Sequence, residues 1–223
     1  MLLYYAETYP NSTTRYKASN MVFHVNSDAE YITMPESRRC YAGHFCLSDW
    51  PSPSTIKPNP KRNGPIHTEC KTIHNVVSSA SEDETCGTFN NGKTTMEMQP
   101  DLIALDHKQP GTPLKTDNST TEGFVNLGMN PKPSKTWDMK WHWLRYKEVI
   151  EQLGLYWYIG KNNDANYFTK YHPPIHHRQK QTQYIYTSDL LETIPHTIRL
   201  FKGVLNRFPV TQYCVYYLKT IRA

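Results

Sequence analysis

The sequence lacks a long apolar run, and it lacks the cysteine patterns that stabilise small secreted or zinc-binding domains. The first ten residues, MLLYYAETYP, have no basic start, and their apolar part is too short for a signal peptide or a membrane span. The five cysteines are odd in number and show neither CxxC pairs nor zinc-finger spacing. These absences predict a protein of the cytoplasm or nucleus with reduced thiols and no membrane partner.

Glycine is also scarce, whereas proline and polar residues are abundant. The 223 residues include 10 glycines and 16 prolines, 38% are hydrophobic, and the mean hydropathy is -0.69. This composition favours a domain of about 150 residues with irregular extensions over one uniform domain. The net charge of +5 is only a weak indication of a polyanionic partner such as nucleic acid.

Two aspartates lie where predicted β-strands end. A run of apolar residues that starts at Met21 is predicted to close at Asp28. A second short strand, over 112–116, leads directly to Asp117, and a capping box formed by Ser119 and Glu122 predicts a helix immediately afterwards. α/β proteins bind ligands at the edge of the sheet where the carboxyl ends of the strands lie. We therefore expect both aspartates at this edge.

A third acid is predicted to point inward from a helix that starts at residue 78 or 79. Ala80 and Glu84 lie one turn apart on the same helical face, so Glu84 is carried inward if Ala80 packs against the core. Glu82 and Asp83 are predicted to point elsewhere. A solvated, acidic helix start explains this window equally well.

The other segments continue the alternation of strands and helices. His172 and His176 do not predict a metal site, because Pro173 and Pro174 lie between them and break the helix. Further strands are predicted over 41–47, 66–73 and 154–159. The helix that follows Asp117 is predicted to stop at Gly128, and a loop over 131–134 then leads into a long helix over 135–150. A short helix is predicted over 162–170.

Acids that are spread along a chain and meet at one sheet edge suit two-metal phosphoryl transfer. Two Mg²⁺ ions about 4 Å apart activate a water and stabilise the leaving oxygen, and several carboxylates must offset their charge. Spacing by itself only suggests this chemistry.

Five short motifs, in register along the chain, resemble the ribonuclease H region of copia-type LTR retrotransposon polyproteins. The likeness spans about residues 1–177. The matching segments are Val25-Asn-Ser-Asp-Ala29, Ser78-Ser-Ala-Ser-Glu-Asp-Glu84, Lys115-Thr-Asp-Asn-Ser119, the helix that starts Lys135-Thr-Trp-Asp-Met-Lys140, and Asn163-Asp-Ala-Asn-Tyr-Phe-Thr-Lys170.

The resemblance implies an α/β fold, an RNase H-like mixed five-stranded sheet flanked by helices. It also implies hydrolysis of RNA in RNA–DNA hybrids with Mg²⁺ or Mn²⁺ as cofactor. Residues 1–20 resemble the end of a polymerase connection, 21–177 the RNase H-like domain, and 178–223 a basic linker with a C-terminal extension. Polymerase and integrase regions of a polyprotein are not found in this chain.

Carried over residue by residue, the resemblance makes Asp28, Glu84 and Asp117 the first three metal-binding acids. The fourth position of the family pattern is an aspartate, and this chain has Asn166 there. Asparagine offers an oxygen but no negative charge, so the second ion should bind more weakly. Asp164, two residues away and on roughly the opposite side of a helix, is the alternative source of the missing charge.

Two classes of function therefore remain open. The first is a ribonuclease H, active or impaired by Asn166. The second is a catalytically silent RNase H-fold module that binds nucleic acid or protein. Hybrid binding would read backbone geometry and 2′-hydroxyls, with phosphate contacts from four basic residues, Lys115, Lys135, Lys140 and Arg145.

Overall fold

The computed structural model of the chain describes residues 7, 12–14, 16–34, 38–50, 60–74, 79–126 and 135–186. The chain divides into two compact units, one formed by residues 17–170 and the other by residues 1–16 together with 171–223. The helix stop expected at Gly128 and the extension beyond residue 186 lie outside the described residues. No helix in the described part of the chain is long and apolar enough to cross a membrane.

In the smaller unit, a helix over Pro174–Tyr184 leads into a short strand, Ile185–Tyr186. That strand pairs antiparallel with Thr13–Thr14. The start of the predicted basic linker is therefore helical.

The larger unit contains a mixed five-stranded sheet. Its order is β3-β2-β1-β4-β5; β1, β2 and β3 are antiparallel neighbours, and β4 and β5 run parallel to β1. The strands are β1 (Val22–Met34), β2 (Arg38–Ser48), β3 (Pro65–Ile73), β4 (Thr112–Thr116) and β5 (Leu153–Trp157).

The prediction that the first strand closes at Asp28 is wrong, because β1 continues to Met34. Its hairpin partner β2 runs beside it past that point, with Ala29 opposite Tyr41 and Glu30 opposite Cys40. The ladder satisfies the backbone groups beyond Asp28, so the chain has no reason to turn there. Asp28 thus lies inside a strand and is fully buried.

Among the described residues of this unit, four α-helices accompany the sheet, and the mixed sheet flanked by helices confirms the predicted fold class. Asn91 reaches Ser27 from one side of β1, and Thr169 reaches Asp28 from the other, since successive strand residues face opposite sides. The helices are α1 (Ala80–Ala104), α2 (Ser119–Asn126), α3 (Lys135–Val149) and α4 (Asn166–Thr169).

The helix starts show which capping predictions were correct. Ser79 caps α1 by accepting a hydrogen bond from the backbone N–H of Glu82 at 3.3 Å, which confirms the predicted start. For α2 the cap is Asn118 rather than Ser119, because its side-chain oxygen accepts from the N–H groups of Thr120 and Thr121 at 2.8 and 3.0 Å.

The short helix predicted over 162–170 is only four residues long. Residues Gly160–Asn162 form a turn of 3-10 helix, and α4 follows as Asn166–Thr169. Between them, the side chain of Asn163 accepts from the N–H of Ala165 at 3.1 Å and donates to the carbonyl of Ser27 at 2.7 Å. These bonds interrupt the helix and attach this segment to β1.

The core combines an apolar cluster with a polar seam. Trp141 and Leu144 of α3 are buried in one cluster with Phe23, Phe45 and Leu114 of the sheet. The face of α1 that meets the sheet is instead polar, and its buried members are Thr85, Thr88, Asn91 and Thr95.

Asn91 is the central link of this seam. Its amide group donates to the Ser27 hydroxyl at 2.7 Å and to the Ala42 carbonyl at 2.9 Å, tying α1 to β1 and β2. We predict that Asn91→Ala lowers the free energy of unfolding by about 2 kcal/mol, because the Ala42 carbonyl stays buried and loses this donor. Urea unfolding measures the loss, and Asn90→Ala, a half-buried neighbour, should change it by less than about 0.5 kcal/mol.

Candidate metal centre

Three carboxyl groups converge where β1 and β4 run side by side. Asp28, Glu84 and Asp117 each place one oxygen so that the three lie within 4.8 Å of one another. The parallel register pairs Val25 with Leu114 and Asn26 with Lys115, which puts Asp117 level with Asp28 two residues further on. Glu84 comes from the second turn of α1. The structure thus brings together the three acids that the sequence selected.

The neighbouring acids of α1 show that burial alone does not distinguish Glu84. Asp83 is fully buried and Glu82 nearly so, although neither belongs to the cluster. Arg39 Nε lies 3.7 Å from an Asp83 oxygen, and burial raises the pKa of Asp83 to about 6. Asp83 therefore points away from the cluster as predicted, but into the protein rather than into solvent.

The pKa values of all three acids in the cluster are raised above their usual values. Burial, reinforced by the other carboxyl groups, raises the pKa of Asp28 to about 7 and that of Glu84 well above its usual value. Burial also raises the pKa of Asp117. The Lys170 ammonium acts in the opposite direction on all three. Without a cation, Asp28 therefore retains its proton up to a pH of about 7.

Several oxygens at this edge have no hydrogen-bond partner. Within the described part of the chain, Asp28 Oδ1, Glu84 Oε2 and Asn166 Oδ1 are buried acceptors that receive no donor. Buried acceptors normally have a partner, and a hard divalent cation is a partner that binds only oxygens. The donor set therefore fits Mg²⁺ or Mn²⁺.

Asn166 borders the cluster through Gly160. Its Nδ2 donates to the Gly160 carbonyl at 3.1 Å, which fixes the amide and leaves Oδ1 as the unpartnered atom. Gly160 also lies against Asp117, and a Cβ atom there would overlap Asp117 Oδ2. Asn166 is therefore a neutral residue whose amide nitrogen, like the Asp117 carboxylate, lies against Gly160.

Asp164 does not replace the missing charge, because its carboxylate is bound elsewhere. Arg62 donates to it twice, from Nη2 to Oδ1 at 2.6 Å and from Nε to Oδ2 at 3.0 Å. This bidentate pair fixes Asp164 outside the cluster.

Sequence reasoning missed two residues that contact acids at this edge. The Thr169 hydroxyl is hydrogen-bonded to Asp28 Oδ2, and Lys170 Nζ lies 3.7 Å from Glu30 Oε2. Thr169 and Lys170 belong to the same sequence motif as Asn166. Their closeness to Asn166 in the sequence was the signal that could have identified them.

The predicted phosphate contacts fall in different environments. Lys115 is only 7% exposed, with its ammonium 4.4 Å from the centre of the Tyr158 ring, so it packs inside the domain rather than on its surface. Burial lowers its pKa. Lys140 and Arg145 are half-exposed on α3, and the Lys135 side chain lies outside the described atoms.

The sheet order, strand directions and helices define an RNase H-like fold. Similar solved structures include RNase H1 from the halophilic archaeon Halobacterium salinarum, with 10% identity and a TM-score of 0.40 over 65% of this chain and 90% of that chain. LC11-RNase H1, isolated from compost, has 11% identity and a TM-score of 0.44 over 66% and 91%. The PFV RNase H domain has 15% identity and a TM-score of 0.33 over 61% and 77%. No protein-family model and no curated protein matches the sequence.

The raised pKa of Asp28 leads to a testable dependence of stability on pH. Folding raises this pKa from 3.8 to about 7, so the folded protein keeps a proton that the unfolded chain releases. Stability of the metal-free protein should therefore fall as the pH rises from about 4 to about 7. Asp28→Asn removes the charge and should stabilise the metal-free protein near pH 8 by about 2 to 4 kcal/mol.

Unfolding of wild type and variant in EDTA, near pH 4 and near pH 8, measures this difference. Asp101→Asn, at an exposed position of α1, is the matched control and should be neutral at both pH values. Equal stability of wild type and Asp28→Asn near pH 8 would contradict the electrostatic account.

Proposed function

We propose that this chain is a Mg²⁺-dependent ribonuclease H of the copia retrotransposon type, which hydrolyses the RNA strand of RNA–DNA hybrids. The observation that carries the proposal is the convergence of Asp28, Glu84 and Asp117 within 4.8 Å, beside buried oxygens that lack a partner. The five motifs that resemble the copia family support the choice of substrate. Mn²⁺ is the alternative cofactor, and the proposed location is the cytoplasm or nucleus.

In the proposed reaction the three acids compensate the charge of the metal ions and take part in proton release. Bound divalent ions supply an activated water and stabilise the leaving oxygen of the phosphodiester. Asp28, Glu84 and Asp117 would offset the charge of the ions, and Asp28 would release the proton that its raised pKa retains in the metal-free state. Burial of the acids strengthens the attraction between the carboxylates and the divalent ions, because the local dielectric constant is lower than that of water.

The proposed partner is the hybrid duplex, held by its backbone. Lys140 and Arg145 are half-exposed on α3 and are the candidates for phosphate contacts, together with Lys135. Lys115 is a weaker candidate because it is buried.

A second function competes because of the neutral fourth position. Asn166 contributes no charge to metal binding. In this second function the RNase H-like domain binds nucleic acid or protein and has no nuclease activity. The separating experiment incubates a labelled RNA–DNA hybrid with the full chain and Mg²⁺ or Mn²⁺. We expect metal-dependent cleavage of the RNA strand that Asp117→Asn abolishes. Hybrid binding without cleavage in either metal would favour the silent module.

Asn166→Asp tests the contribution of the missing charge. The change is nearly isosteric and should raise the cleavage rate in Mg²⁺ at least about tenfold, or ~1.4 kcal/mol of transition-state stabilisation. It also removes the Asn166 donor to the Gly160 carbonyl, so the metal-free variant should be less stable. Single-turnover rates and unfolding in EDTA measure the two effects.

The matched control is Asn162→Asp, which adds the same charge at an exposed position. It should leave the cleavage rate unchanged. A wild-type rate that already equals that of Asn166→Asp would show that Asn166 is a sufficient ligand.

Hybrid binding should be electrostatic and independent of sequence. With about three phosphate contacts, affinity should fall roughly 10- to 100-fold between ~50 and ~200 mM salt. Lys140→Ala combined with Arg145→Ala should reduce this salt dependence, whereas Lys108→Ala, exposed in the loop after α1, should not. Fluorescence anisotropy with two unrelated hybrid sequences measures both. Salt-independent binding or a strong sequence preference would contradict the assignment.

A further inference from the structure

The last residue of α4 contacts the most deeply buried acid of the cluster. Thr169 is 4% exposed and Asp28 is fully buried, and the Thr169 hydroxyl is hydrogen-bonded to Asp28 Oδ2. The two residues are 141 positions apart in the sequence. The bond therefore exists only because the fold places α4 over β1.

This bond leaves the two oxygens of Asp28 in different states. Oδ2 is occupied by Thr169, whereas Oδ1 is buried and receives no donor from the described residues. A carboxylate that is held at one oxygen cannot rotate freely, so the orientation of the whole Asp28 carboxyl group is fixed. Residues that hold a metal ligand in this way commonly set the affinity for the ion.

The backbone around Thr169 is itself held in place. The Cys40 thiol donates to the Thr169 carbonyl at 3.8 Å, and the Cys70 thiol donates to the Phe168 carbonyl at 3.3 Å. Cys40 lies on β2 and Cys70 on β3, so two strands anchor the end of α4. On the other side of Thr169, Lys170 lies 3.7 Å from the Glu30 carboxylate.

The Thr169 hydroxyl has a second acceptor within reach, the Asn166 carbonyl at 3.3 Å. A hydroxyl has one proton to donate, and an ionised carboxylate is the stronger acceptor. When Asp28 is ionised as a metal ligand, the proton of Thr169 therefore goes to Asp28.

We propose that Thr169 is a positioning residue that orients the Asp28 carboxylate and thereby sets the affinity of the site for its divalent cation. This inference rests on the proposed metal-dependent function, and it assigns to the end of α4 a role separate from that of Asn166 at its start. The hydroxyl, rather than the size of the side chain, carries the effect.

The test measures Mn²⁺ binding to the full chain by isothermal titration calorimetry, with unfolding in EDTA measured alongside. Thr169→Val keeps the shape but loses the hydroxyl, and it should weaken Mn²⁺ binding about 10- to 100-fold. Thr169→Ser keeps the hydroxyl and should stay within about threefold of wild type. Thr95→Val is the matched control, because Thr95 is equally buried and its hydroxyl donates to the Asn91 carbonyl at 2.7 Å, away from the acids.

The control variant should lose stability without losing Mn²⁺ affinity. Should Thr169→Val fail to fold, Thr169→Ala takes its place in the comparison. Two results would overturn the role of Thr169 and leave the proposed function intact. One is an Mn²⁺ affinity of the hydroxyl-free variant within threefold of wild type. The other is an equal loss of Mn²⁺ affinity in Thr169→Val and Thr169→Ser. A wild-type chain that binds no Mn²⁺ would overturn the proposed function and this inference together.

Discussion

The close approach of three carboxyl groups, one fully buried and two half-buried, is the constraint on which the rest of this site depends. Asp28, Glu84 and Asp117 lie within 4.8 Å, and burial raises the pKa of each. Such a cluster costs stability unless rigid elements hold it and a cation neutralises it. Here the rigidity comes from the parallel register of β1 and β4 and from the capped start of α1.

Asn166, at the position where the family pattern has an aspartate, is a neutral residue next to this cluster. The Asn166 amide donates to the Gly160 carbonyl, and Gly160 lies in close contact with Asp117. An aspartate at 166 would bring an oxygen against that carbonyl in the absence of a cation. The asparagine therefore stabilises the turn against which Asp117 lies.

Other charged groups of the domain contact partners of their own and do not belong to the cluster. Asp164 is bound by Arg62 through two hydrogen bonds, and Arg39 lies beside the buried Asp83. Lys115 lies over the Tyr158 ring. The sequence does not show these pairings, because the type of charge and the position along a helix do not reveal which distant partner a side chain meets.

The sequence by itself determined the local features of this protein. The start of α1 was predicted at residue 78 or 79, helical spacing selected Glu84, and the motif that resembles the copia pattern drew attention to Asn166, since these signals depend on residues within a few positions of one another. Only the tertiary structure decided that Asp28 lies inside a long strand, that the register of β1 and β4 aligns it with Asp117, and that Thr169 holds it from 141 residues away. Strand register and contacts between distant segments are set by packing and backbone pairing across the whole domain, which no local pattern contains.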